Sequence, residues 1–129
     1  MSSLAITDLI DLCERMQAEE QLLFETLGSW VPDEPDPDRQ RRYATAAHRH
    51  AWHAELWGAR RPAVPLDGPA RVADRAPGTS DPAERAAWYD ARLAALVTAL
   101  QEAAGRVDPV LDPGTQRVID LVAADLAPA

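Results

Sequence analysis

Apolar positions recur three and four residues apart in four stretches of the chain, the spacing that gathers them on one face of a helix. The first stretch carries Ile6, Leu9, Cys13, Met16, Leu23 and Leu27, and the second Tyr43, Ala47, His50, Ala54 and Trp57. The third carries Tyr89, Leu93, Leu96 and Leu100, and the fourth Val118, Ile119, Val122 and Leu126. No segment alternates apolar and polar residues in the manner of a half-buried strand. The last three stretches open on an aspartate followed by proline, at Asp36, Asp81 and Asp112. Asp accepts an orphan backbone N–H as N-cap, and Pro at the next position gives up a donor that would be unpaired anyway. Glu84, three residues after Asp81, adds a reciprocal cap. Gly28, Gly58 and Gly105 mark helix ends, because glycine adopts the left-handed C-terminal conformation at least cost. The first helix starts after Ser3, with Thr7 as a second candidate cap. The predicted helices are 4–28, 37–58, 82–105 and 113–127.

The connections then predict topology. "SWVPDEPD" and "RVDPVLD" are short, so helices 1 and 2, and helices 3 and 4, are expected to be antiparallel neighbours. Helices 2 and 3 are separated by the Pro-rich crossover 59–81. A helix of about 21 residues is roughly 30 Å long, and an extended crossover can run back along it. The expected architecture is all-α: a four-helix bundle of two antiparallel hairpins joined by a long crossover, stiffened by its prolines. With 129 residues it forms one domain.

Charge and cysteine usage narrow the setting. A net charge of −8 works against nucleic acid, whose phosphates would be repelled. The N-terminal "MSSLAITDLIDLCERM" has no uninterrupted apolar run, so neither a signal peptide nor a membrane span is expected. The single cysteine, Cys13, cannot close an internal disulfide and sits in an apolar stripe, where thiols are usually inert. A cytoplasmic protein is the expectation. Helix 1 is rich in acids (Asp8, Asp11, Glu14, Glu19, Glu20, Glu25) and helix 2 in arginines (Arg39, Arg41, Arg42, Arg49). Packing the two together is expected to place these charges side by side.

All the histidines lie in "AAHRHAWHAELW": His48, His50 and His53. His50 is central on the apolar stripe and His53 is at its edge, three residues on, so the pair can reach one metal. The bland reading is a core histidine with ordinary hydrogen bonds. Glu20 falls on or beside the helix 1 stripe, and Glu19 takes its place if that stripe is rotated by one residue. A buried carboxylate is costly unless paired or bound to metal; the alternative is a border residue paired with an arginine of helix 2. His48, Trp52 and Glu55 are turned away from the stripe. An outward tryptophan suits a homodimer or a protein partner, or cover by Val64, Pro65 and Leu66 of the crossover. In helix 4 the only acids are Asp120 and Asp125, whose side chains reach less far than glutamate.

The run "HRHAWHAELWGARRP", the Pro-rich crossover and "VLDPGTQRVIDLVAADL" together resemble small bacterial ferritin-like proteins. That resemblance implies an inward ligand set: a Glu on each of two helices and a Glu-x-x-His pair on each of the others. It also implies iron or manganese as the metal and dioxygen-dependent oxidation as the chemistry. The chain departs from the pattern at Ala47, where the family carries glutamate, and in helix 4, which has neither Glu nor His. The resemblance therefore implies a small non-haem metal-binding oxidoreductase with a reduced site at Glu20, His50 and His53. The alternative is a metal-free bundle acting as an accessory or interaction subunit through the Trp52 face.

Overall fold

The computed structural model describes residues 4–63 and 71–127. Val64, Pro65 and Leu66, the expected cover for Trp52, lie outside the described residues. Four helices and no strand form among the described residues: α1 (Ile6–Trp30), α2 (Pro37–Arg60), α3 (Pro82–Arg106) and α4 (Pro113–Leu126). None is long and apolar enough to cross a membrane.

The Asp-Pro signals act as expected. Asp36 accepts from Arg39 N at 3.2 Å, Asp81 from Ala83 N at 3.1 Å and Asp112 from Thr115 N at 3.1 Å. Each such cap contributes about 1 kcal/mol. Other boundary expectations fail. Glu84 accepts from the Thr79 hydroxyl at 2.6 Å instead of capping the Asp81 backbone. The N-cap of α1 is Ala5, with no side-chain cap; Thr7 does not fill that role, and Ser3 lies outside the described residues. None of Gly28, Gly58 and Gly105 ends its helix, and none has a positive φ. α1 runs past Gly28 because burial of Trp30 (5% exposed) against Tyr43 makes the extra turn worth forming.

The core is built from one face of each helix: Leu12, Leu23 and Leu27, then Tyr43 and Trp57, then Leu96 and Leu100, then Val118, Ile119 and Val122. Ile6 departs from its predicted stripe and is exposed, one turn above the start of the packed region. α1 and α2 pack in a register read from four contacts. Glu14 meets Arg61, Gln17 lies against Gly58, Glu20 meets His50 and His53, and Val31 accepts from Gln40. Residue numbers rise along α1 as they fall along α2.

The surface charges pair differently from expectation. Arg39 turns to Glu34, Arg41 to Asp38 and Arg42 to Asp90 of α3, so none of them meets α1. The acids of α1 are matched from elsewhere: Glu14 by Arg61, Asp11 by Arg15 and Arg71, Glu19 by Arg92 of α3. α4 is tied down at its start, where Arg60 of α2 donates to Asp112 and to Thr115, both at 2.8 Å. That anchor sets the rotation of α4 and so decides which of its residues look toward α2.

Candidate metal centre

The middle of α1 and α2 brings together Glu20, His50 and His53, whose ligand atoms all lie within 4.8 Å of one another. The three are 0%, 1% and 0% exposed. Glu20 and not Glu19 occupies the interior; Glu19 goes to the ion pair with Arg92. His50 and His53 sit one turn apart on the buried face of α2, as their spacing predicts. His48 points to solvent. The cluster could hold a metal ion, and it is the only such group among the described residues.

Both imidazoles turn Nδ1 inward. His50 Nδ1 lies 2.5 Å from Glu20 Oε2, and His53 Nδ1 lies 3.3 Å from Glu20 Oε1. The second contact is short enough for ionic attraction but is not aligned as a hydrogen bond. Glu20 Oε1 and His53 Nδ1 are thus buried polar atoms without hydrogen-bond partners. Such atoms cost about 1–3 kcal/mol each when nothing satisfies them. A cation between them would satisfy both, so the residues present fit a metal.

The outer ring nitrogens are held from the other two helices. His53 Nε2 lies 2.8 Å from the Asp125 carboxylate of α4, and His50 Nε2 lies 2.9 Å from the Tyr89 hydroxyl of α3. A metal-ligating histidine characteristically donates its far N–H to a carboxylate or other acceptor, which fixes tautomer and ring orientation. With Nε2–H donating outward on each ring, both Nδ1 lone pairs face Glu20. Without metal, the short contact from His50 Nδ1 to Glu20 requires a proton between them. Nε2 of a neutral His50 then accepts from the Tyr89 hydroxyl.

The electrostatics follow from burial and contact. Burial alone raises the Glu20 carboxyl, but the hydrogen bond from His50 and the charges of His50 and His53 outweigh it and hold the group below its ordinary 4.5. Burial alone lowers His53, but Glu20 and then Asp125 outweigh it and push the ring above 6.5. The Tyr89 phenol is pushed up to about 12, chiefly by burial, and stays protonated. Cys13, buried in the core toward Arg60 and Asp112, is pushed up to about 11, chiefly by burial, and offers no thiolate.

Two contributors escaped the sequence reading. Asp125 is one of the two acids of α4 and shorter than glutamate, yet it lies seven residues beyond Val118 and three beyond Val122, on the same helical face, and that spacing is the available signal. Tyr89 belongs by spacing to the apolar stripe of α3, and its hydroxyl contact depends on how α3 meets α2. Asp120 points away and accepts from Gln116 at 2.9 Å. Ala47 is buried one turn before His50 and offers no ligand. Trp52 is 41% exposed, with its ring 5.8 Å from that of His53, so an outward indole borders the site.

Comparison of the chain with protein-family models, with curated proteins and with solved structures finds no match.

Proposed function

We propose that this chain is a small ferritin-like bundle of two antiparallel hairpins, holding one iron or manganese ion on Glu20, His50 and His53 and acting as a non-haem oxidoreductase. The observation that carries this reading is the pair of unpartnered buried atoms, Glu20 Oε1 and His53 Nδ1, facing each other at 3.3 Å. Two imidazoles and one carboxylate with open positions form the donor set typical of mononuclear non-haem iron(II). When bound, such an ion supplies one-electron chemistry and a place for dioxygen. Glu20 would contribute the negative charge, Asp125 and Tyr89 would hold the two rings in their ligating tautomers, and the surrounding core would keep bulk water out.

The second reading is a metal-free accessory subunit that pairs with itself or with another protein through Trp52. It is supported by the half-exposed indole and by the partial self-sufficiency of the triad, in which His50 already satisfies one Glu20 oxygen. Metal analysis of tag-free protein, beside Glu20→Gln and a His50→Ala/His53→Ala double variant, separates the two. Stoichiometric iron or manganese that is lost in variants of unchanged helicity supports the oxidoreductase. Stoichiometric zinc keeps the site and removes the redox chemistry, and no uptake after reconstitution leaves the accessory subunit.

A further inference from the structure

A half-open cleft lined by charged and apolar side chains lies beside the triad, between α2, α3 and the last turn of α4. It encloses about 470 Å³, and His50, Tyr89 and Asp125 lie among its walls. Arg41, Arg42 and Arg49 of α2 line its mouth. Two of these charges are matched: Arg41 pairs with Asp38, and Arg42 donates to Asp90 at 2.8 Å. Asp125 is engaged by His53. Arg49 is exposed and makes no ion pair among the described residues. Arg49 is therefore the arginine of the mouth left without an ion-pair partner among the described residues, in a chain of net charge −8.

The cleft continues into an apolar space. Leu93, Leu126 and Ala127 line it and also line a groove of about 700 Å³ between α3 and α4, walled further in by Val97, Leu100 and Ile119. Both volumes lie in the range of small-molecule sites. From Leu93 to Leu100 the groove follows two turns of α3, about 10 Å, the reach of a medium-length acyl tail. An apolar chain lying there would remove the groove walls from water.

We propose that cleft and groove together bind a monoanionic amphiphile, a carboxylate with one hydrocarbon tail. Its head pairs with Arg49 beside His50 and Tyr89, and its tail lies between α3 and α4. The guanidinium fork matches a carboxylate in shape as well as in charge. A second negative charge on the head would find no further unpaired arginine, because Arg41 and Arg42 are already held by Asp38 and Asp90. As the substrate side of the proposed metal centre this rests on that reading, although binding itself does not require the ion.

Decanoate titrated calorimetrically into the metal-free and the metal-loaded full chain tests the assignment. Saturable one-to-one binding is expected in both. It weakens by roughly tenfold or more in Arg49→Gln, the ordinary worth of a charge-assisted hydrogen bond. The Ala123→Asp variant, which places a carboxylate on the exposed wall of the groove, weakens it similarly. Decanol and acetate, each offering one half of the ligand, bind at least about tenfold more weakly than decanoate. Equal binding of decanol, binding unmoved by Arg49→Gln, or no saturable decanoate binding overturns the proposal. Metal content measured on the same samples keeps the two readings apart. Decanoate binding through Arg49 in a chain that takes up no metal upholds the cleft and sinks the metal centre; metal uptake without decanoate binding does the reverse.

Discussion

His53 and Asp125 meet across two helices, with Nε2 of the ring 2.8 Å from a carboxylate oxygen of Asp125, whose side chain is 28% exposed. This contact links the short α4 to a triad supplied entirely by α1 and α2. If it sets the His53 tautomer, Asp125→Asn will weaken metal binding by about 10–100-fold while leaving helicity unchanged. Competition with a chelator of known affinity measures this. His48→Ala serves as control and should move stability by no more than about 0.5 kcal/mol. Equal affinities in wild type and Asp125→Asn would show that the ring is oriented by packing alone.

Among the described residues, Glu20 is the only fully buried carboxylate that faces the two imidazoles. Replacing it by glutamine keeps the shape but removes the charge that supports a protonated His53. Losing one member of a buried ionic pair costs about 3–5 kcal/mol, and Glu20→Gln is expected to destabilise the metal-free chain on that scale. Urea denaturation of wild type and variant gives the difference directly. A loss below about 1 kcal/mol, the scale of an exposed pair, would mean that water reaches the site freely.

The pH dependence should differ in sign between metal-free and loaded protein. His53 is raised above 6.5, so its contribution is complete below that value and is lost as pH rises through the higher folded value. Glu20 is held below 4.5, so its contribution is complete above that value and fades only as pH falls through the lower folded value. Metal-free protein should therefore lose thermal stability from about pH 6.5 upward. Metal ligation needs deprotonated imidazoles and strengthens over the same interval. Thermal melts of both forms across that range should diverge, and parallel curves would argue against histidine ligation.

Tyr43 is 0% exposed, and its hydroxyl has no partner among the described residues. Its ring is held by Trp30 at 5.8 Å and by Tyr89 at 6.1 Å, contacts that phenylalanine would keep. Removing a buried, unsatisfied hydroxyl avoids a desolvation cost of about 1–3 kcal/mol. Tyr43→Phe is accordingly expected to leave stability unchanged or raise it by about 1 kcal/mol. A loss exceeding about 1 kcal/mol in denaturant titration would show that the hydroxyl is satisfied in solution.

Helix number, the Asp-Pro starts and the buried faces were legible along the chain because each depends on neighbours within two turns. Capping needs only Asp and the following N–H groups, and amphipathic spacing needs only the 3.6-residue repeat. The same local logic put His50 and His53 on one buried face and brought Glu20 to the edge of another. Helix ends were read less well: Gly28, Gly58 and Gly105 signalled stops that tertiary packing overrode, as with Trp30 beyond Gly28.

The sequence by itself thus determined which residues could enter the interior, and only the tertiary structure decided which of them meet. The choice of Glu20 over Glu19 is a rotation of α1 by one residue, set by the packing of its Leu faces against α2 and by Arg92 drawing Glu19 to α3. The recruitment of Asp125 and Tyr89 depends on where α3 and α4 come to rest, through contacts such as Arg60 with Asp112. These are long-range relationships between side chains of different helices, and no periodicity along one helix encodes the phase of another.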